Sequence, residues 1–221
     1  NAATELREKI CAKAAQMWDV DAADVVFDGQ YVRLSDERAA REQNRFLTLR
    51  DFANLCVKNI AGGDALTSHA SACLPVSPPP FMAGIAEVEV DKATGKVTVV
   101  DYAAAVDCGT VINEALARVQ AEGGIAQGIG HALYEIVEHD ERGRLRTGNF
   151  MSYKLPTRLD IGSIRVAFEP SYEPTGPFGA KSIGEVVINT PLAAVASAVA
   201  HATGHQVRSL PITPEKALLG E

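Results

Sequence analysis

The sequence predicts an α+β fold: two small two-layer α/β sandwich modules with antiparallel or mixed sheets. Three observations carry this expectation. Helical and strand-like patterns alternate irregularly instead of repeating as strict strand–helix–strand units. Two strand pairs are joined by short turn sequences, Asp28-Gly29 and Asp91-Lys92-Ala93-Thr94-Gly95, so hairpins are present. Residues 61–80 are rich in Gly, Ser and Pro and end in Pro78-Pro79-Pro80, which reads as a linker or crossing segment between two groups of elements. The division is therefore 1–60, a helix–hairpin–helix part; 61–80, the linker; and 81–221, a second module.

In the first module, Thr4 is placed to cap a helix running to about Trp18, with Leu6, Ile10, Ala14 and Met17 at helical spacing. Val25-Val26-Phe27 and Tyr31-Val32 flank Asp28-Gly29, a dipeptide favoured in tight two-residue reversals. Residues 35–45 are densely charged and expected to be exposed. Thr48-Leu49-Arg50-Asp51 resembles a capping box and opens a helix to about Ile60, which Gly62-Gly63 ends.

In the second module, residues 84–90 alternate as a strand, and 96–106 return after the Asp91–Gly95 turn. From Asn113 to Glu138 the pattern is helical but interrupted by glycines. Residues 150–155 and 164–168 read as strands, and 170–184 as a long loop holding Pro170, Pro174, Pro177, Gly176, Gly179 and Gly184. Thr190-Pro191 looks like a helix start, with Thr as cap and Pro in the first turn. Leu192, Val195, Ala196 and Val199 form the stripe of that helix, and Gly204 stops it. A short strand at 206–210 and a last helical turn from Thr213-Pro214 complete the chain.

Composition excludes several function classes. The 221 residues are 47% hydrophobic and 22% charged, an ordinary globular profile. The 21 Lys and Arg against 28 Asp and Glu give a net charge of −7, which argues against sequence-independent nucleic-acid binding. No apolar run is expected to reach the ~18–20 residues that span a bilayer. Cys11, Cys56, Cys73 and Cys108 lack metal-ligand spacing and read as buried reduced thiols, which suggests the cytoplasm. Ser in G-x-S-x-G and the phosphate-binding P-loop are both absent. His201 and His205 read as solvent-facing, because Gly204 breaks the helix between them.

Two stretches could carry chemistry. The first is Gln120 to Gly130, Q-A-E-G-G-I-A-Q-G-I-G. Each of its helical glycines costs about 1 kcal/mol relative to alanine, so something must offset them. Either a neighbouring helix or a large cofactor approaches closely. The glycine order does not fit a dinucleotide-binding G-x-G-x-x-G. The second is Gly176 to Glu185, G-P-F-G-A-K-S-I-G-E, a loop of unusual backbone freedom. Glu185 stands beside Ile183, Val186, Val187 and Ile188; a carboxylate held among such groups could act as a base near neutral pH, whereas an exposed or salt-bridged loop acid is the plainer reading.

These stretches resemble the C-terminal part of the molybdopterin-binding large subunit of the xanthine dehydrogenase / aldehyde oxidase family. The resemblance covers G-I-A-E-V-E-V-D-K-A-T-G at 84–95, V-D-C-G-T-V-I-N at 106–113 and Q-A-E-G-G-I-A-Q-G-I-G-H-A-L at 120–133. It continues through Y-K-L-P-T-R-L-D at 153–160, G-A-K-S-I-G-E at 179–185 and L-P-I-T-P-E at 210–215. It implies a molybdenum–molybdopterin cofactor, in some relatives a cytosine dinucleotide, and hydroxylation of an N-heterocycle or aldehyde carbon with oxygen from water. By resemblance, Glu185 is the catalytic base and Gln120 contacts the pterin. Gly123, Gly124 and the backbone of Lys181, Ser182 and Ile183 line the cofactor, with no metal ligand from this chain. The implied partners are the remainder of the molybdenum-binding subunit, iron–sulfur and FAD domains or subunits, and a small-molecule substrate, with no nucleic acid or membrane. Without those partners the chain is expected to be inactive. One departure is Val186-Val187, where the family often has proline after the glutamate. The alternative is a non-catalytic assembly or binding module that keeps the fold.

Overall fold

The computed structural model describes residues 1–58, 66–73 and 76–220. They divide into two units, Asn1–Cys73 and Leu74–Glu221. As the sequence predicts, both are α+β, one with an antiparallel sheet and one with a mixed sheet.

In the first unit, helix α1 (Ala2–Trp18) starts ahead of Thr4, and Asn1 holds the cap position. Ala2 and Ala3 favour helix, so the chain enters before the expected cap residue. Strands β1 (Val25–Phe27), β2 (Tyr31–Leu34) and β3 (Phe46–Thr48) form an antiparallel sheet in that order. The hairpin reversal falls one residue later than Asp28-Gly29. Phe27 pairs with Val32. The Asp28 carboxylate accepts the N–H groups of Gln30 and Tyr31 at 3.0 and 2.8 Å. The charged stretch 35–45 is not simply exposed. It holds helix α2 (Glu37–Glu42), capped by Asp36, with Ala40 wholly buried. Its charges pair on the solvent side, Arg38 with Glu42 and Arg41 with Glu37, which conceals the one buried position from a pattern reading. Helix α3 (Leu49–Lys58) opens on the expected box: Thr48 Oγ1 accepts the Asp51 N–H at 3.1 Å and donates to its carboxylate at 2.7 Å. Ile60, the Gly62-Gly63 stop and parts of the linker lie outside the described residues. The remaining linker positions, 66–73 and 76–80, carry no helix or strand.

In the second unit, β4 (Phe81–Val90), β5 (Val97–Asp107) and β6 (Ser163–Phe168) form a sheet in that order. The first pair is antiparallel and the second parallel. Helices α4 (Glu114–Leu133), α5 (Val186–Thr203) and α6 (Pro214–Leu219) complete it, with Tyr102, Ile125, Ile129, Val187, Val195 and Val199 in the core. Helix α4 stops at Leu133, short of Glu138, because the Tyr134 and Glu135 N–H groups both return to the Gly130 carbonyl. Asn149 gathers residues 150–153 into a turn where a strand was expected, with Phe150 and Met151 exposed. Residues 206–210 also form no strand; Val207 alone is buried there. Thr213 caps α6 as expected.

The largest difference is the start of α5. The helix begins at Val186, and Pro191 lies inside it, fully buried. Thr190 does not cap; its hydroxyl meets the buried Tyr102 hydroxyl at 2.9 Å. The Pro191 ring packs on α4 at Gly128, where a Cβ would lie 2.8 Å from Pro191 Cγ and from the Ile188 carbonyl. At Gly124 a Cβ would lie 2.3 Å from Val187 Cγ2. Two helix backbones therefore approach through glycine, and the contact fixes where α5 begins. By length and mean hydropathy (18 residues, 1.4), α5 is apolar enough to cross a membrane, contrary to the sequence expectation. One face of it packs in the core through Val187, Val195 and Val199.

The cysteines do not share one environment. Cys108 is buried, Cys11 and Cys56 are half-buried, and Cys73 is exposed. Burial pushes the Cys108 and Cys56 thiols up.

Candidate functional site

Of the two stretches singled out from sequence, the loop lies against the carboxyl end of β5 and the glycine-rich helix meets the loop at Gly184. Past Asp107 the chain runs through Cys108, Gly109 and Thr110, and the long loop returns beside it. Gly109 and Ala180 form an antiparallel bridge. The Thr110 N–H donates to the Gly179 carbonyl at 2.8 Å, and the Lys181 N–H to the Cys108 carbonyl at 2.7 Å. A Cβ at Gly109 would lie 2.3 Å from the Gly179 oxygen, and Gly109 has φ 67°. Only glycine satisfies both demands.

Lys181 turns inward. Its Nζ lies 2.6 Å from Asp107 Oδ2 and 5.1 Å from the Phe81 ring centre, with the side chain only 8% exposed. Asp107 also accepts the Gly109 N–H at 3.1 Å and the Ser171 hydroxyl. The Lys181 ammonium, then Ser171 and the Gly109 N–H, hold the Asp107 carboxyl down at about 2. The lysine charge is thus neutralised inside the unit, and only the backbone of Lys181 is left to face a ligand. Ser182 is exposed, and its hydroxyl accepts the Gly184 N–H at 3.4 Å. Ile183 packs its side chain against the core.

Gln120 closes the arrangement. Its Nε2 donates to the Gly184 carbonyl at 2.7 Å, joining α4 to the residue before Glu185 across 64 positions of sequence. An amide retains a further N–H and an acceptor oxygen beyond that bond. One turn along α4, Gly123 is exposed and a Cβ there would meet nothing within 4 Å. Gly124 differs: Val187 covers it, so helix packing offsets its cost. The two explanations left open for the glycines therefore divide. Packing accounts for Gly124 and Gly128, and Gly123 is left facing open space.

Glu185 occupies the cap position of α5 but makes no capping hydrogen bond, and it is exposed. The plainer of its two readings, an exposed loop acid, is the one found, and among the described residues its apolar neighbours do not enclose it. Val187 is fully buried, and Ile183 and Val186 pack downward on the core. Beside the loop lies a cleft of about 510 Å³ lined by Val76, Pro78, Pro177, Ala180, Lys181 and Ser182. Asp107 and Ser171 were not singled out from sequence as site residues. The available signal was an acid closing the run Tyr102–Val106, directly before Cys-Gly.

Among the described residues, no three His, Cys, Asp or Glu side chains are grouped to hold a metal ion. The donor set consists of an amide, loop backbone, a hydroxyl and a helix surface without a Cβ. Such a set suits a flat organic cofactor held by hydrogen bonds and close backbone approach. The fold and site thus define a cofactor-cradling module. The chain belongs to the molybdopterin cofactor-binding domain family, whose model matches residues 1–162. It is 33% identical over 217 residues to the xanthine dehydrogenase molybdenum-binding subunit of Escherichia coli O157:H7, covering 98% of this chain and 28% of that protein. It is 31% identical over 225 residues to the nicotine 6-hydroxylase large subunit of Paenarthrobacter nicotinovorans, covering 98% and 27%. Quinoline 2-oxidoreductase from Pseudomonas putida 86 superposes with a TM-score of 0.73 at 29% identity, over 99% of this chain and 28% of that one. The chain thus spans just over a quarter of these relatives.

Proposed function

We propose that this chain forms part of the molybdenum-cofactor site of a hydroxylase that oxidises an N-heterocycle or aldehyde carbon with oxygen from water. Glu185 is its general base. The observation that carries the reading is the Gln120–Gly184 hydrogen bond at 2.7 Å, which ties the glycine-rich helix to the loop bearing the carboxylate. The bound cofactor, as the cytosine dinucleotide or the simpler pterin, supplies the oxygen chemistry and the electron acceptor.

The chain's own residues have defined tasks. Gln120 fixes the Gly184 carbonyl and so the direction in which Glu185 leaves the loop. Its remaining amide atoms, with the backbone of Lys181, Ser182 and Ile183, would hydrogen-bond the organic part of the cofactor. Gly123 allows that group to lie directly on α4. Glu185 accepts a proton at its carboxylate and passes it on. Since Glu185 is exposed here, the walls that exclude water from it come from the remainder of the subunit. Iron–sulfur and FAD domains or subunits would carry electrons away, and the chain alone would not turn over.

The test is Glu185→Gln in the assembled enzyme from its native source. Turnover should fall at least ~10²-fold, with molybdenum per chain unchanged. Near-normal turnover would remove Glu185 from the role of base, and an intact native assembly without molybdenum would remove the cofactor reading.

A further inference from the structure

We propose that Asp107 is the positioning residue of the Gly176–Gly184 loop, acting through Lys181, Ser171 and the Gly109 N–H to set the backbone that presents Glu185. The inference rests on the reading that this loop carries the base. Asp107 is the last residue of β5, paired with Phe81 of β4, and the Val106 carbonyl just before it accepts the Glu169 N–H beyond β6, so its main chain is anchored by the sheet. Its carboxylate faces three separate pieces of chain. Oδ2 takes Lys181 Nζ at 2.6 Å; Oδ1 takes the Gly109 N–H at 3.1 Å and the Ser171 hydroxyl.

Each partner matters to the loop. Lys181 lies four residues before Glu185. Ser171 lies in the segment that leads from β6 into the loop, five residues before Gly176. Gly109 is bridged to Ala180. The loop has no helix of more than three residues and no strand of its own; internal bonds such as the Glu173 N–H to the Gly179 carbonyl close it on itself, and the contacts at Asp107, Cys108 and Thr110 tie it to the end of β5. The main-chain bonds from Thr110 to Gly179 and from Lys181 to Cys108 join the loop to the residues that follow Asp107 and report its effect. A lysine side chain 8% exposed also has few alternative partners, so the loop cannot slide without leaving an unpaired ammonium behind.

The experiment is residue-level amide exchange on the whole chain, comparing parent, Asp107→Asn, Ser171→Ala and Lys181→Arg. Asp107→Asn should speed exchange at the Thr110 and Lys181 amides about tenfold or more, while β4–β5 ladder amides such as Val88 and Val99 stay within about twofold. Ser171→Ala, the milder change, should give about a two- to fivefold rise confined to the same amides, and decides the matter if Asp107→Asn does not fold. Lys181→Arg keeps the charge and should stay within about threefold of the parent. Exchange that rises equally in loop and ladder, or in neither, overturns the proposal, since Asp107 would then be a general stabiliser or idle. In the assembled enzyme, Asp107→Asn should lower kcat about tenfold with KM within about twofold and molybdenum retained. Unchanged kcat beside a kcat-dead Glu185→Gln also overturns it. If Glu185→Gln is itself active, the reading of the base fails separately, and the exchange result still decides whether Asp107 sets the loop.

Discussion

Gly123 and Gly124 are neighbours on α4, yet alanine should act on them in opposite directions. A Cβ at Gly123 meets nothing within 4 Å, so Gly123→Ala in the chain alone gains helix propensity without a clash. The gain is about 1 kcal/mol. At Gly124 the same atom would stand 2.3 Å from Val187 Cγ2, closer than real Cβ contacts come. Val187 is β-branched and fully buried, so it has little freedom to turn aside. Overpacking of this kind costs about 1–3 kcal/mol, which the propensity gain only partly offsets. Gly124→Ala should therefore destabilise the second unit by about 0–2 kcal/mol, and the two variants should differ by about 1–3 kcal/mol. Urea unfolding followed by circular dichroism measures both. In the assembled enzyme the order of merit changes, because Gly123 is where the cofactor is proposed to approach: Gly123→Ala should lower molybdenum per chain despite its greater stability. If Gly123→Ala is the more destabilising of the pair, the α4–α5 packing described above is wrong. If it is stabilising and molybdenum is unaffected, Gly123 does not face the cofactor.

Other predictions follow from the same geometry. The Asp107 carboxyl is held at about 2, below its usual range, so its contribution is complete above about pH 4 and is lost as pH falls through about 2. An acid titration of stability should show a loss of about 1–2 kcal/mol in that window, absent in Asp107→Asn. Gln120→Ala should leave chain stability within about 1 kcal/mol, since the amide is exposed. The same change should cut turnover of the assembled enzyme, a divergence that equilibrium unfolding and steady-state kinetics together would detect. Tyr102→Phe removes the buried hydroxyl bonded to Thr190 at 2.9 Å and should cost about 1 kcal/mol by thermal melting, with secondary structure unchanged.

Legibility in the sequence followed the range of the physics. Thr48-Leu49-Arg50-Asp51 and Thr213-Pro214 were readable because a cap and its helix lie within a few residues. The β4–β5 hairpin was readable because alternation and the turn at Asp91–Gly95 reinforce each other. Thr190-Pro191 has the same local form as a true cap, but Tyr102 and Gly128 claim those two side chains. The strands expected at 150–155 and 206–210 are absent; at 150–153 Asn149 takes the N–H groups of Met151, Ser152 and Tyr153 locally, which a pattern of apolar residues does not reveal. For Glu185 the sequence left two readings, and the plainer one holds: Ile183, Val186 and Val187 pack on the core while the carboxylate stays exposed.

The sequence by itself determined the α+β class, the family and the two stretches from which the site is built, because pattern, turn chemistry and motif order are properties of neighbouring residues. Only the tertiary structure decided what those residues do to one another. It turned Lys181 inward onto Asp107, gave Gly124 to Val187 while leaving Gly123 open, and set Gln120 on the carbonyl before Glu185. The physical reason is distance along the chain. Gln120 and Gly184 are 64 residues apart, and Asp107 and Lys181 are 74 apart. Contacts of that separation depend on how sheet and helices pack, which no local rule encodes.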